Sequence, residues 1–342
     1  MKPIIGITMG DAAGIGSEII VKALALKEIY ECCQPLVIGD GNVMKIAARI
    51  SETNLKINPI LEVSKAKFGY GIIDVLDQKN IDLQNLRMGF TSEMTGKASV
   101  DYIKKAVNLS MEGIIHAICT APISKEALNK AGYSYSGHTE LLAHLTKTKN
   151  YAMMLVHGSL RVVHVTTHIS LKEACNRIKA GRIVRVIELT DNALREWGIE
   201  KPRIAVASLN PHSGEGGLFG LEEKEEIEPA VKETRRMGIL AEGPFPADTV
   251  YAKARGGAFD AVVAMYHDQG HIPIKILGLE WIGKEWVKVG GINVTIGLPI
   301  IRTSVDHGTA LIKAGKGKAN PQSMIEAIKF AARLAGNSGK KD

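Results

Sequence analysis

Short apolar runs that stop in glycine or polar clusters alternate with stretches of helical spacing along most of the 342-residue chain. That alternation predicts an α/β fold with a largely parallel sheet, since strands joined by helical crossovers return in parallel. Ligands on such sheets gather at the carboxyl ends of the strands. The strand-like runs are Pro3 to Met9, Gln34 to Asp40, Gly113 to Thr120, Tyr151 to Val156, Leu160 to Thr167, Arg203 to Leu209 and Ala258 to Met265. Helical spacing marks Glu18 to Leu26, Asn42 to Ile50, Ser92 to Leu109, Arg182 to Trp197 and Gln322 to Leu334.

Three of the strand-like runs deliver a histidine just where the apolar run stops: His168, His212 and His267. Neutral imidazole is the commonest nitrogen ligand of divalent transition metals, and three of them leave positions open for a substrate. From the residues alone, a shared metal site stands beside the plainer reading of separate structural imidazoles, which is also the reading for His116, His144, His157 and His164. Asp248 and Asp268 are placed to orient these imidazoles or to act as a base.

Lys275, Asn293 and Arg302 offer a point charge, an amide and a planar fork, a set suited to phosphate and carboxylate groups. The loop Gly10–Ser17 stands between a strand and a helix, where backbone N–H groups attract anions; its glycines equally suit a tight turn. Ser136 to Glu140 precedes a helix and suits an anionic ligand or a plain cap. The acidic run Glu222 to Glu228 reads as a solvated helix face, and Pro244 to Thr249 as a rigid loop. Lys275 is followed by a loop containing Trp281 and Trp286.

Composition narrows the partners. The net charge of +7 is spread without a Lys/Arg block, which argues against nucleic acid and favours small anions. No apolar stretch approaches the ~20 residues of a membrane span, and Met1-Lys2-Pro3 leads into a strand, so the expected location is cytoplasmic. Cys32, Cys33, Cys119 and Cys175 lack metal or disulfide spacing and read as reduced thiols.

Longer motifs then carry a resemblance. Gly6 to Asp11, Ser136 to Glu140, Val165 to His168, Asn210 to His212, Met265 to Gly270 and Asn293 to Gly308 together resemble the 4-hydroxythreonine-4-phosphate dehydrogenase family of vitamin B6 (pyridoxine) synthesis. The resemblance spans nearly the whole chain. His307-Gly308-Thr309-Ala310 with Ala319-Asn320-Pro321 looks like the adenine-binding segment of isocitrate and isopropylmalate dehydrogenases. It implies their fold, two α/β/α domains with a cleft between them. The expected divisions are 1–135 plus 303–342, a terminal cofactor-side domain, and 136–302, a central domain carrying metal ligands and dimer contacts. This is not a Rossmann fold, which weakens a dinucleotide reading of the first glycine loop.

By residue-for-residue carry-over, the resemblance implies a homodimer with a shared active site that uses NAD or NADP. A divalent cation (Zn, Mg, Mn or Co) is held by His168, His212 and His267. Substrate is bound by His138, Thr139, Lys275, Asn293 and Arg302, and cofactor by His307, Gly308, Thr309, Ala310 and Asn320; Asp248, Asp268 and Lys275 are the catalytic candidates. The implied reaction oxidises a 4-phosphorylated 3-hydroxy acid to a β-keto acid, which then loses CO2. Met9 to Asp11, Ser124 to Leu128, Glu140 to Ala143 and Gly270 to Pro273 lean toward a sister branch acting on 4-phospho-D-threonate or 4-phospho-D-erythronate. The Gly278 to Gly290 stretch is longer than the family pattern. Two other classes stand against this: a hydrolase using three histidines to activate water, and a non-catalytic protein binding sugar-acid phosphates. The segment from His307 to Pro321 discriminates, because a hydrolase has no use for an adenine-binding loop.

Overall fold

The structure is a computed structural model that describes residues 2–283 and 285–338. The chain forms two compact units, Met1–Lys149 with Leu298–Asp342, and Asn150–Gly297. In the first unit β1 (Ile4–Thr8) leads to α1 (Gly16–Leu24) and α2 (Lys27–Cys32), and β2 (Gln34–Gly39) to α3 (Gly41–Ile50). Then follow β3 (Lys56–Ile60), β4 (Ile72–Asp77), α4 (Glu93–Met111), β5 (Ala117–Thr120), α5 (Lys125–Lys130) and α6 (His138–Leu145). The second unit opens with β6 (Ala152–His157), β7 (Leu160–His164), α7 (Leu171–Arg177), α8 (Ala180–Glu196), β8 (Arg203–Ala207) and α9 (Glu228–Arg236). It continues with β9 (Leu240–Phe245), α10 (Ala247–Arg255), β10 (Ala261–Ala264), α11 (His267–Gly278), β11 (Leu279–Ile282), β12 (Glu285–Val289) and β13 (Ile292–Ile296). The chain then returns to the first unit with β14 (Arg302–Val305) and α12 (Gln322–Ser338).

Strands of the first unit lie in the order β3-β4-β2-β1-β5-β14, every pairing parallel. Its apolar runs are buried on both faces, as a parallel sheet covered by helices requires: Ile5, Ile7, Leu36 and Ile38 are fully buried. Helix α12 packs on β1, β5 and β14, where Thr303 Oγ1 donates to the Ala327 carbonyl at 2.9 Å. Strand register sets Thr8 beside Thr120 and Thr120 beside Ser304, a row of buried hydroxyls at the carboxyl ends of three strands.

In the second unit the order is β13-β6-β7-β10-β8-β9. Pairs β13-β6 and β6-β7 are antiparallel, the others parallel. In the sequence Tyr151 to Val156 and Leu160 to Thr167 read as a hairpin with Gly158 at the turn, and that hairpin is present, with φ of +57° at the glycine. Helix α8 buries Ile183, Val186, Ile187, Thr190 and Leu194, the apolar face visible in its sequence. No helix among the described residues is long and apolar enough to cross a membrane.

Several expectations change. The three histidine-ending strands are shorter than their apolar runs, so His168 and His212 sit in the loops beyond β7 and β8. The segment after His267 is helix: α11 continues through Pro273 and Lys275 to Gly278. Within the stretch read as a loop, β11 and β12 pair antiparallel, with Trp281 and Trp286 edge to face at 4.9 Å. Pro244 to Thr249 divides between the end of β9 and the first turn of α10, which holds Asp248. The segment 136–149 and Arg302 belong to the first unit, because α6 packs on α4 and β14 pairs with β5.

Helices α4 and α5 approach closely at Gly96, where an added Cβ would lie 2.0 Å from the Ala127 carbonyl oxygen. Alanine inside a helix ordinarily gains roughly 0.5–1 kcal/mol over glycine. Gly96→Ala should instead cost about 2 kcal/mol or more, because backbone blocks the methyl group. Gly181→Ala in α8, with nothing within 4 Å, should cost nothing. Urea midpoints test this; equal shifts for the two variants would contradict it.

Candidate functional site

The polar groups of the second unit collect at one sheet edge. Strands β7, β10 and β8 are adjacent and parallel, so the residues that follow them, His168, His267 and His212, leave the same edge. His267 opens α11, and its Nδ1 lies 2.7 Å from Asp268 Oδ1. A carboxylate at Nδ1 sets the ring's orientation and leaves Nε2 as the ligand-facing nitrogen. The ring centroid of His168 is 5.5 Å from that of His267. Both residues, with Tyr266, Asp268, Thr167 and Leu171, line a cavity of about 260 Å³.

Behind His267 stands a column of imidazoles. His271, one helical turn on, stacks against His267 at 3.6 Å and 14°, and its Nδ1 meets the His267 carbonyl at 2.9 Å. His164 lies 4.8 Å from His271 and is fully buried. Burial, then the neighbouring His271, pushes the His164 pKa down to about 3, so its ring is neutral. Gly270 makes room for it: a Cβ there would sit 2.4 Å from His164 Nε2. Lys275 follows His267 and His271 at helical spacing on α11 and is half-buried.

His212 stands on a different backbone. It opens a run of positive φ in the turn Pro211–Gly217, and its ring is 6.5 Å from Phe219. The charged residues of the run beyond it are exposed or half-buried, as a solvated face requires, except Glu223, which is 2% exposed and accepts the N–H groups of Leu209 and Asn210 at 2.8 and 2.7 Å. Nothing in the spacing of that run marks Glu223, since only the fold turns it inward. Among the described residues no group of three or more His, Cys, Asp or Glu side chains is arranged to hold a metal ion. The structure brings His168 to His267, and sets His212 at the end of the neighbouring strand. Imidazole nitrogens with a carboxylate behind one of them are the donor set a divalent transition ion takes, so the chemistry of these residues fits one. Asn293, on β13, has a buried Oδ1 that meets no hydrogen-bond partner. Asp248 is exposed.

In the first unit His138 and Thr139 form the first turn of α6, behind Gly137. His138 Nε2 is buried with no hydrogen-bond partner, although the residue as a whole is half-buried. Burial first, and then the Arg302 charge, hold its pKa well below the usual histidine value. Arg302 is itself 2% exposed and donates through Nη2 to Thr120 Oγ1 at 2.8 Å. Burial lowers its pKa to about 10, which leaves it charged at neutral pH. A desolvated guanidinium beside an unsatisfied imidazole nitrogen is a receptor for an anionic group that also brings a hydrogen-bond donor or acceptor.

The stretch from His307 to Asn320 lies against the first glycine loop. Ile15 N–H donates to Thr309 O at 3.1 Å, Glu18 accepts Gly315 N–H at 2.6 Å, and Lys22 Nζ donates to Gly317 O and Ala319 O at 2.5 and 2.9 Å. Asn320 Oδ1 accepts the Gln322 N–H at the start of α12, and His307 Nδ1 meets the Gly308 carbonyl. Ala310 has φ of +42°. The loop itself turns tightly: Gly10 has φ of +73°, and a Cβ on Gly16 would lie 2.3 Å from Met9 O. Asp11 is wholly buried, and burial pushes its carboxyl pKa up, partly offset by the Ala13 N–H and Thr95.

Residues 31–331 match the family described as Pyridoxal phosphate biosynthetic protein PdxA. The chain is 50% identical over 334 residues to the D-threonate 4-phosphate dehydrogenase of Cupriavidus necator, covering 97% of each. It is similar to the crystal structure of a 4-hydroxythreonine-4-phosphate dehydrogenase from Burkholderia phymatum, with TM-score 0.84, 50% identity and 98% of each chain covered. The corresponding enzyme from Klebsiella pneumoniae gives TM-score 0.88 at 44% identity, again over 98% of each chain.

His138 predicts a pH dependence. Its folded pKa lies below its unfolded value near 6.5, so below that pH the unfolded chain binds a proton that the folded one refuses. Its contribution is therefore intact above pH ~6.5 and falls with acid, by up to ~1.4 kcal/mol per pH unit. Urea unfolding at pH 7, 6 and 5 should show a shallower loss in His138→Gln than in the parent. Identical slopes would show that His138 is not held neutral.

Proposed function

The chain belongs to the family of pyridoxal phosphate biosynthetic protein PdxA, and from that premise we propose that it oxidises D-threonate 4-phosphate or a close 4-phosphorylated hydroxy acid with NAD or NADP. It is a dehydrogenase, as are its full-length relatives, which sets aside the hydrolase and binding-protein readings. The observation that carries the substrate class is the Arg302 and His138 pair: a buried cation beside an imidazole nitrogen that lacks a partner. An exposed pair would bind anions weakly, whereas this one attracts a phosphate or carboxylate through a low local dielectric.

In the proposed reaction a bound nicotinamide would take the hydride of the C3–H bond, while the C3 hydroxyl gives its proton to a base. The product is a ketone β to the carboxylate; breaking the bond to that carboxylate releases CO2, and the electron pair left at C2 takes up a proton to give a shorter phosphorylated hydroxyketone. Arg302, His138, Thr139, Lys275 and Asn293 bind and orient the acid, with Asp248 and Lys275 as the candidates for proton transfer. Asp268 orients His267. His168, His212 and His267 would hold a divalent cation, the set being completed between two copies of the chain. Bound there, such a cation supplies Lewis acidity toward a hydroxyl and toward charge developing as CO2 leaves. The segment from His307 to Asn320, anchored on α1, is proposed to receive the adenine end of the cofactor.

The test follows NAD(P)H formation with divalent metal present, comparing D-threonate 4-phosphate, D-erythronate 4-phosphate and 4-phosphohydroxy-L-threonine. D-threonate 4-phosphate should give the highest kcat/KM; no reduction with any of the three would overturn the proposal. Arg302→Lys keeps the charge but loses the planar fork, and should lower kcat/KM about 10- to 100-fold, mainly through KM. An unchanged KM would remove Arg302 from the substrate site.

A further inference from the structure

The loop presenting His212 is left-handed over five consecutive residues: φ is +52° at His212, +56° at Ser213, +77° at Gly214, +46° at Glu215 and +68° at Gly216. Glycine adopts such angles freely, but each residue with a side chain costs about 1–2 kcal/mol there. His212, Ser213 and Glu215 all have one. A strained run of this length persists only where neighbouring groups hold it.

Those groups come from one place, the π-type turn Glu223–Ile227 and the residue before it. Glu223 Oε1 accepts the backbone N–H groups of Leu209 and Asn210 at 2.8 and 2.7 Å, and its Oε2 accepts Asn210 Nδ2 at 2.9 Å. The same carboxylate lies close to the turn itself, leaving no room for a side chain at Gly214, where an added Cβ would lie 2.8 Å from Glu223 Oε2. Glu222 Oε2 also accepts Asn210 Nδ2, at 2.7 Å, and Lys224 Nζ donates to the Gly216 carbonyl. Three consecutive side chains thus grip the entry and the exit of the left-handed run. Irregular π-type turns concentrate where such side chains must be aimed. Glu223 is 2% exposed, so its three donors stand in for water.

We infer that Glu223 is a positioning residue that fixes His212 in its ligand-presenting orientation by locking the left-handed turn, with Glu222 and Lys224 as secondary clamps. The inference rests on the proposed reading of His212 as a metal ligand. Removing the carboxylate frees two backbone N–H groups and the Asn210 amide, and the strained φ angles lose their support. Glu223→Gln is the informative change: it keeps the shape but turns an NH2 group toward a donor, either Asn210 Nδ2 or the two backbone N–H groups. Lys224→Met releases only the exit.

The test measures Co2+ binding to the full-length protein by calorimetry and by the visible spectrum of the bound ion, with thermal unfolding alongside. His212→Ala should abolish binding. Glu223→Gln should weaken it about 10- to 100-fold and alter the Co2+ spectrum, as lost outer support of a ligand does, while the unfolding midpoint stays within a few degrees of the parent. Lys224→Met should shift affinity in the same direction by less. If His212→Ala abolishes binding and both Glu223→Gln and Lys224→Met bind as the parent does, the positioning role is overturned and the ligand reading stands. If His212→Ala binds Co2+ as the parent does, both fall together.

Discussion

Parallel pairing of β7, β10 and β8 is the constraint on which the polar half of the second unit depends. Because the three strands run the same way, whatever follows each of them emerges at one edge, and the sequence places a histidine after every one. A parallel sheet is buried on both faces, so its carboxyl edge is where polar chemistry can be housed without breaking the core. The three histidines then meet different fates. His267 is held from two sides, by Asp268 at Nδ1 and by the stacked ring of His271, which itself leans on the buried His164. His212 depends on backbone, through a turn that is left-handed and clamped by Glu223. His168 stands exposed beside the cavity it shares with His267.

The first unit handles charge differently. Arg302 enters the sheet as the first residue of β14, and its side chain is anchored on Thr120 two positions along the paired strand. Burial there depresses both Arg302 and the neighbouring His138, one remaining charged and the other neutral. That difference creates a cation with an unsatisfied neutral partner, which an anionic substrate can complete without a large reorganisation. The segment from His307 onward is organised by ordinary hydrogen bonds from α1, with Glu18 and Lys22 acting as struts. Neither strut was visible as functional in the sequence, where both look like the polar face of a helix.

The strands and helices with clean periodicity were legible in advance: the hairpin across Gly158, the buried face of α8, and the strand-helix order of the first fifty residues. Misreadings cluster where local pattern and tertiary environment disagree. The stretch with Trp281 and Trp286 read as a loop, yet β11 and β12 pair there; Pro273 lies inside α11, where Ile274 packs into the core of the second unit. The acidic run after Gly220 has the composition of a solvated face, but Glu223 turns inward because Leu209 and Asn210 leave N–H groups without strand partners at the end of β8.

By itself the sequence determined the α/β alternation, the placing of histidines after strands, and the motif set that ties the chain to its family, since these depend on residue type and spacing along the chain. Only the tertiary structure decided which polar groups face one another. The stacking of His271 on His267, the need for a bare Gly270 beside His164, the burial that separates Arg302 from His138 in charge, and the grip of Glu223 on the His212 turn all join residues distant in the chain or hidden within a helix. Their energies depend on desolvation and on distances of a few ångströms, quantities that no one-dimensional spacing contains.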